Sequence, residues 1–448
     1  MSDTIYALAS GAGTAGVAVI RVSGPAAGPA IERLTGAPVP SPRMASLRRL
    51  RDPAVGGDID ASDIDEGIVL WFPGPASYTG EDIAEFHVHG GQAVIEAMIL
   101  ALGAIETCRM AEPGEFTRRA FEGGKLDLTS AEAVADLVAA QTVAQRLQAM
   151  GQFDGSLAAL YDDWRTQLTG LLARAEIIID FSDEDLPDDI QESIKHNILY
   201  IHKQITQYID DHHRGERIRS GFRVAIIGAP NVGKSSLLNW LAERDAAIVS
   251  EIAGTTRDII EVHMNLGGYT VIVSDTAGIR EAEGVIEAEG VRRARQSAQE
   301  ADLRVVVFDA AALPGLDDYA LDYVDDDAIA VLNKTDIAVQ DMPEAIANQP
   351  VCAVSVKTGD GLEALLAVLT AAVQARLTAT EQPPLTRARH REALEACAAA
   401  LQRAAAASLP ELAAEDIRLA VRSLGRITGR VDVEDVLDVI FRDFCIGK

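Results

Sequence analysis

The segment that most constrains the fold is F-R-V-A-I-I-G-A-P-N-V-G-K-S-S-L-L-N-W-L, residues 222–241 of the 448-residue chain. Its apolar, β-branched start, glycine-containing middle and leucine-rich end predict a strand, a loop and a helix. The loop matches the pattern GxxxxGK[ST], in which backbone N–H groups turn inward around phosphate oxygens at the positive end of a helix. We therefore expect a nucleoside triphosphate site, with Lys234 at the β and γ phosphates and Ser235 at Mg²⁺.

Three further motifs occur in the order that a guanine-specific nucleotide hydrolase requires. The D-T-A-G motif at Asp275 follows a strand-like run and offers a carboxylate toward Mg²⁺ and a glycine N–H toward the γ phosphate. The N-K-T-D motif follows another strand, and its Asp336 can accept both guanine N–H groups, which adenine does not offer in that arrangement. The S-V-K motif at Ser355 suits a loop over the base. Each motif alone could be a turn, but together in this order they predict a GTPase domain.

The residue that follows D-T-A-G predicts slow hydrolysis. Many small GTPases carry a glutamine there that orients the attacking water, whereas this chain has Ile279, whose side chain cannot hydrogen-bond. Asn231 offers an oxygen that could ligate a monovalent cation, and Glu287 could polarise a water. The sequence leaves Glu287 equally open to another interpretation, a solvated acid in the acidic segment E-A-E-G-V-I-E-A-E-G.

The rest of the chain predicts a multi-domain α/β plus all-α protein. Strand-like runs separated by turns predict a small α/β domain over residues 1–118, and amphipathic patterns predict helices over residues 119–218 and 378–448. The GTPase domain, residues 219–377, is then an insertion. Because the ends of an inserted domain usually lie close together, we expect the flanking helices to form one discontinuous helical domain.

Several other interpretations fail on the sequence. Gly11, Gly13 and Gly16 spell GxGxxG, but a strand-like run follows where a dinucleotide site needs a helix. His87 and His89 have no third metal ligand nearby. A tail ending C-I-G-K is not a prenylation signal, because an aliphatic residue should precede the last one.

Composition points to the cytoplasm. The four cysteines are far apart, the N-terminus is not a signal peptide, and no apolar run is long enough to cross a membrane. The net charge of −28 opposes nucleic-acid binding in general. Residues 378–448 are nearly neutral, with 10 basic and 11 acidic residues, so we expect any polyanion to meet the ends of the chain.

The sequence resembles the tRNA-modification GTPase MnmE (TrmE) family over its whole length. The resemblance is carried by V-I-R-V-S-G, L-W-F-P-G-P, S-Y-T-G-E-D, P-G-E-F-T-R-R-A-F, G-K-L-D-L-T-S-A-E, E-I-A-G-T-T-R-D and F-C-I-G-K, among other motifs. It implies a homodimer whose N-terminal domain binds folate. It also implies a heterotetramer with the flavin-containing partner MnmG (GidA), which adds an aminomethyl-type group to C5 of the wobble uridine of certain tRNAs. A 5,10-methylene- or 5-formyl-tetrahydrofolate would serve the reaction, and no membrane is involved.

The resemblance also assigns site residues. It implies folate binding by Arg21, Glu85, Lys125 and Lys448, with Cys445 as a catalytic thiol or, alternatively, a buried structural cysteine. It implies Mg²⁺ ligands at Ser235 and Thr256, K⁺ ligands at Asn231, Ser250, Ile252 and Thr255, and a water-orienting role for Glu287. The expected GTP-binding residues are Asn231, Val232, Gly233, Lys234, Ser235, Ser236, Ser250, Glu251, Ile252, Ala253, Gly254, Thr255, Thr256, Asp275, Thr276, Ala277, Gly278, Asn333, Lys334, Thr335, Asp336, Ser355, Val356 and Lys357.

Two other functions compete with tRNA modification. An Era-like ribosome-assembly GTPase would share N-V-G-K-S and the potassium chemistry, but such factors carry a basic RNA-binding tail, and this tail is near neutral and has no KH-type GxxG loop. A regulatory switch without chemistry of its own would use the N-terminal domain only to dimerise.

Overall fold

The computed structural model describes residues 3–52, 62–180, 189–244, 261–275, 296, 298–338, 342–378, 382–431, 434–442 and 444–448. Within these residues two sheets form, one of six strands and one of seven. The contacts divide the chain into two compact units, Met1–Ala135 with Phe153–Pro187 and Ala407–Lys448, and Asp136–Gln152 with Asp188–Ala406. No helix among the described residues is both long and apolar enough to cross a membrane.

The six-stranded sheet of the first unit has the order β3-β4-β5-β2-β1-β6 and is antiparallel except where β1 meets β6. Its strands are β1 Thr4–Leu8, β2 Ala15–Ser23, β3 Ser46–Arg51, β4 Asp63–Phe72, β5 Ile83–Gly90 and β6 Cys108–Met110. Helices α1 Ala27–Thr35 and α2 Gln92–Gly103 cover one face, where alternate residues such as Ile20 and Phe86 are fully buried. Because successive strand side chains alternate, Arg21 and Glu85 point to the opposite face.

That opposite face meets helix α3 Glu115–Glu122 through a small cluster that includes Ile5, Ala7 and Phe116. Further helices complete the first unit: most of α4 Leu128–Ala139, α6 Ser156–Asp180, α13 Pro410–Thr428 and α14 Glu434–Arg442. Helices α6 and α13 pack side by side. The buried ring of Tyr161 and the buried Ile417 belong to this pair.

The seven-stranded sheet of the second unit has the order β12-β13-β11-β10-β7-β9-β8, and its five central strands are parallel. Its strands are β7 Phe222–Ile227, β8 Glu261–Leu266, β9 Tyr269–Asp275, β10 Leu303–Asp309, β11 Ala328–Asn333, β12 Ala345–Ile346 and β13 Gln349–Ala353. The central strands are almost continuously buried, as expected for a parallel sheet covered on both faces. The predicted nucleotide motifs follow the carboxyl ends of β7, β9, β11 and β13, so the sheet gathers them at one edge.

The helices of the second unit are α5 Val143–Phe153 up to Gln152, α7 Asp189–Ile209, α8 Arg214–Ser220, α9 Lys234–Ala242, α10 Asp318–Leu321, α11 Leu362–Leu377 and α12 Ala388–Ala406. Helices α7 and α12 pack together. Helix α8 leads directly into β7 through Gly221. The N-terminal α/β domain, the helices and the nucleotide-binding sheet were therefore all predicted correctly as fold classes, while the exact domain boundaries stay a prediction.

Candidate functional site

The phosphate loop connects β7 to α9 and needs glycine at two positions. Gly228 has φ +155° and a Cβ there would lie 2.3 Å from the carbonyl oxygen of Val307. Gly233 has φ +103° and a Cβ there would lie 2.2 Å from Nδ2 of Asn333. Both glycines are thus required by close approach as well as by conformation, which is the reason the loop can wrap tightly at the N-terminus of α9.

The ammonium of Lys234 lies inside this loop. Its Nζ donates hydrogen bonds to the carbonyl oxygens of Gly228 and Ala229 at 2.9 and 2.8 Å. Burial lowers the pKa of Lys234, and the charges of Asp275 and Asp317 oppose that effect. The positive charge is therefore held where the phosphates of a nucleotide are expected.

A hydroxyl and a carboxylate meet beside Lys234. Ser235 Oγ donates to Oδ2 of Asp275 at 2.6 Å, and Asp275 is almost fully buried at the end of β9. Hard oxygen donors of this kind are the ligands that Mg²⁺ prefers, usually one or two from the protein with the remainder from phosphates and water. The two residues fit the magnesium site predicted from the motifs.

The guanine-side motifs are tied to the phosphate loop by Asn333. Its Nδ2 donates to the carbonyl oxygen of Val232 at 2.7 Å, and its Oδ1 accepts from the backbone N–H of Val356 at 3.1 Å. Asn333 therefore links the phosphate loop to the loop of the S-V-K motif and fixes the distance between them. Asp336 lies beyond it and accepts a hydrogen bond from Ser355 Oγ at 2.8 Å through one carboxylate oxygen, Oδ1.

Each of these motifs contains a lysine. Lys334 Nζ forms an ion pair with Asp309 Oδ2 at 2.7 Å, and Lys334 adopts a left-handed backbone conformation, φ +66°. Lys357 is largely exposed and lies 4.0 Å from Asp336 Oδ2. Asp309, at the carboxyl end of β10, was missed by the sequence reasoning. The sequence did contain a signal for it, because Asp309 ends an apolar, strand-like run just as the motif residues do.

A second group of polar residues lies on the face of the six-stranded sheet that meets α3. Arg21 and Glu85 face each other in the register of β2 and β5, and Nε and Nη2 of Arg21 both lie 2.9 Å from Glu85 Oε1. Among the described residues, the polar atom nearest the other carboxylate oxygen, Oε2, that makes a hydrogen bond with it is His87 Nε2, at 3.4 Å. One oxygen of this carboxylate is held by Arg21, and the other can accept hydrogen bonds from a ligand. Such a carboxylate suits a ligand with N–H donors, such as a pterin ring.

The residues around 445–448 fold back onto the same part of the first unit. Ile446 forms an isolated antiparallel bridge with Pro113, and a Cβ at Gly447 would lie 2.1 Å from the carbonyl oxygen of Leu8. Leu8 pairs with Ile20, the neighbour of Arg21. The tail is thereby packed against β1, the strand next to the one that carries Arg21.

Two further predicted residues of this site are described. Gly80 approaches Lys125, since a Cβ at Gly80 would lie 3.5 Å from Lys125 Cε. Cys445 is exposed, so the alternative of a buried structural cysteine is wrong. Its exposure follows from the tail conformation, in which the backbone around Cys445 bonds to Gly114 and Lys448 while the side chain faces solvent.

Comparison with known proteins decides the family. A family model described as the MnmE helical domain matches residues 128–445, and one described as the GTP-binding protein TrmE N-terminus matches residues 4–125. The tRNA modification GTPase MnmE of Paramagnetospirillum magneticum is 53% identical over 448 residues, covering 100% of both chains. The chain belongs to the MnmE family of tRNA modification GTPases.

Relatives with other names extend this family. The mitochondrial 5-taurinomethyluridine-[tRNA] synthase subunit GTPB3 of Danio rerio is 46% identical over 472 residues, covering 100% of this chain and 93% of that protein. Among solved structures, the G domain of the T. maritima FeoB iron transporter is 26% identical, covers 34% of this chain and 98% of its own, and has a TM-score of 0.26. The assignment to the MnmE family therefore rests on the sequence comparisons.

Part of the nucleotide site predicted for an MnmE family member lies outside the described residues. This applies to Ser250, Glu251, Ile252, Ala253, Gly254, Thr255, Thr256, Thr276, Ala277, Gly278, Ile279 and Glu287. Of the expected potassium ligands only Asn231 is described, and it has the left-handed conformation, φ +63°, that asparagine tolerates. The potassium site and the role of Glu287 stay predictions.

Proposed function

We propose that this protein is a GTP hydrolase that acts with a flavin-containing partner to modify C5 of the wobble uridine of certain tRNAs, drawing a one-carbon unit from a reduced folate. The observation that carries the GTPase part is the sheet edge where Lys234, the Ser235–Asp275 pair and Asp336 are gathered. Family membership supports the tRNA part, because relatives aligned over the full chain are named for it. A homodimer in the cytoplasm is part of the proposal.

In the nucleotide site each described residue has a separable role. When a nucleotide binds, Lys234 would donate its hydrogen bonds to phosphate oxygens instead of to the loop carbonyls. Ser235 and Asp275 would hold Mg²⁺, which neutralises phosphate charge when bound. Asp336 would accept the N1–H and 2-amino donors of guanine through its two carboxylate oxygens, of which Oδ1 also accepts from Ser355. Asn333 would fix the distance between the base and phosphate ends of the site. This division explains why the motifs are spaced across four strands, β7, β9, β11 and β13.

In the folate site the residues would bind and orient the ligand. Glu85 would accept N–H donors of the pterin, and Arg21 would hold that carboxylate in place. Lys125 and Lys448 would supply positive charge for the carboxylates of folate, and a bound reduced folate would supply the one-carbon unit. One carboxylate for the N–H donors of the pterin and two ammonium groups for the carboxylates match the chemistry of folate, which supports the proposal.

Nucleoside mass spectrometry of tRNA tests the proposal. We expect cells without the protein to lose the C5 substituent of wobble uridine, and expression of the intact chain to restore it while the Lys234→Ala variant does not. Unchanged wobble uridines together with abnormal ribosomal subunits would instead support an Era-like assembly factor.

A further inference from the structure

The guanidinium of Arg21 is held by two aromatic rings as well as by Glu85. Its Cζ lies 5.4 Å from the ring centroid of Tyr78 and 5.7 Å from that of Phe116. A guanidinium within about 6 Å of an aromatic face is attracted by the ring quadrupole, more strongly when water is excluded. Since the Arg21 side chain is only 18% exposed, both rings contribute to fixing its position.

The loop that carries Tyr78 is itself fixed. The hydroxyl of Tyr78 lies 2.8 Å from Oγ1 of Thr117, which is fully buried on α3. Ser23 Oγ lies 2.8 Å from Oε2 of Glu81, which is also paired with Arg119 at 3.1 Å. Turning the ring of Tyr78 away from Arg21 would break the contact of its hydroxyl with Thr117, and moving the loop would also break the contacts of Glu81 with Ser23 and Arg119.

This arrangement determines what Glu85 can offer to a ligand. Because Arg21 engages Oε1, and the 3.4 Å separation from His87 is long for a hydrogen bond, Oε2 remains the oxygen that can accept from a ligand. If Arg21 were released, its charge could pull the carboxylate out of this orientation. Arg21 and Tyr78 would thus act on the orientation of Glu85.

We propose that Tyr78 is a positioning residue of the folate site: its ring holds Arg21 on Glu85, so that Glu85 Oε2 faces the N–H donors of a reduced pterin. The inference rests on the proposed folate function. It also assigns Arg21 to the pterin end of the ligand and not to the glutamate end, a distinction that the sequence resemblance does not make.

The test measures dissociation constants by calorimetry on the full-length protein, with 5-formyl-tetrahydrofolate and with 6-methyl-tetrahydropterin, which has no glutamate. Tyr78→Phe keeps the ring and should bind both ligands within about threefold of the wild type. Tyr78→Leu keeps an apolar side chain without the quadrupole and should weaken both about tenfold. Tyr200→Leu, the same change at an exposed tyrosine, should change neither.

Equal binding by Tyr78→Leu and the wild type would overturn the inference, as would a loss confined to the ligand with a glutamate. Wild-type protein that binds neither ligand would instead remove the folate part of the proposed function. The melting temperature and GTP affinity of each variant show whether it has folded.

A second experiment changes the electronic character of the ring at position 78 without changing its shape, so that its result does not depend on whether a smaller side chain disturbs folding. Phenylalanine and its mono-, di- and trifluorinated forms, placed at position 78, leave the ring in position while weakening its quadrupole. Affinity for 6-methyl-tetrahydropterin should fall stepwise with each fluorine, because the attraction for Arg21 falls. An affinity independent of fluorination would mean that Tyr78 acts only as packing, and the inference would be wrong.

Discussion

Single residues of the nucleotide site show what motif letters can and cannot convey. The order of the motifs predicts one site for Lys234, Ser235 and Asp275, and the structure joins Ser235 to Asp275 at the edge where the parallel strands end. The sequence could not show that Asn333 ties two loops together, since both of its partners are backbone groups. Nor could it show that Tyr78 lies over Arg21, because that contact depends on how a loop folds onto the sheet.

Asp336 should determine base specificity. Asp336→Asn replaces an acceptor oxygen with an N–H₂ group that meets the guanine 2-amino group. One charge-assisted hydrogen bond, worth about 1.5–3 kcal/mol, is lost and the other becomes neutral and weaker, so GTP affinity should fall at least about tenfold. Xanthosine triphosphate, which has a carbonyl in place of the amino group, should bind the variant better than GTP does. Equilibrium binding of both nucleotides is the measurement, with Asp322→Asn, the same change at an exposed carboxylate outside the motifs, as the control; undiminished GTP affinity in Asp336→Asn would contradict the assignment.

The cation preference of hydrolysis should follow from Asn231 and Ile279. Since isoleucine cannot orient water, we predict that a monovalent cation beside Asn231 contributes charge at the phosphates, and that GTP turns over much faster in KCl than in NaCl. Asn231→Ala should remove that difference while GTP still binds. Steady-state rates at matched ionic strength provide the measurement, and equal rates in the two salts would remove the cation from the mechanism.

At the scale of elements, periodicity predicted the helices better than it predicted how they begin and what they contact. The spacing of Thr129 and Glu132 indicates a capping box, but the structure has Asp127 in that role, accepting from the N–H groups of Thr129 and Ser130 at 2.8 and 3.1 Å. Glu132 is instead almost fully buried. The carboxylate of Asp127, two residues before Thr129, takes this role because it accepts from two N–H groups and two hydroxyls at once.

The short helix α8 is held at the entrance to the phosphate-loop strand by contacts far apart in sequence. Arg219 Nε and Arg387 Nη2 each lie 2.8 Å from Oδ1 of Asp136. Gln145 Nε2 donates to the carbonyl oxygen of Arg219 at 3.0 Å. These contacts join α4, α5 and α8 near the amino end of β7. Because the partners are far apart in sequence, local sequence patterns do not predict them.

Removing this carboxylate should loosen α8. Asp136→Ala leaves two guanidinium groups without their shared acceptor, and because Arg219 is partly exposed to water we expect a cost of roughly 1–2 kcal/mol. Amide hydrogen exchange resolved by mass spectrometry should then be about tenfold faster across residues 214–222. Exchange in β2 and β5 should not change. Asp163→Ala, which removes an exposed carboxylate bonded only locally to Gln167, is the matched control, and unaltered exchange of α8 in Asp136→Ala would show that Asp136 does not hold it.

For the whole molecule, sequence patterns predicted the kinds of domain, and the return of the tail to the N-terminal domain followed only from the family resemblance. Periodicity cannot reveal a contact such as that between Gly447 and Leu8, which are separated by nearly the entire chain. The tail and the folate residues share one compact unit, while the phosphate loop belongs to the other. The two proposed sites can therefore be disabled separately.

Removal of residues 445–448 should separate folate binding from GTP hydrolysis. Without the tail, the bridge to Pro113 and the approach of Gly447 to Leu8 are lost, and the charge of Lys448 is lost with them. We expect affinity for 5-formyl-tetrahydrofolate to fall at least tenfold and the C5 substituent of wobble uridine to disappear from cellular tRNA. GTP affinity and turnover in KCl should stay within about twofold of the intact protein, because none of the described nucleotide-site residues belongs to that unit.

Point variants then identify which part of the tail is responsible. Lys448→Ala removes one charge while the backbone contacts of Gly447 remain, so a folate affinity as poor as that of the truncated protein would assign the loss to the ammonium. Cys445→Ser keeps the tail in place, and because Cys445 is exposed it should bind folate normally. If that variant binds folate but leaves wobble uridine unmodified, the thiol takes part in the chemistry; if it restores modification in full, Cys445 is not catalytic. A truncated protein that still binds folate and still modifies tRNA would show that the tail is no part of the site.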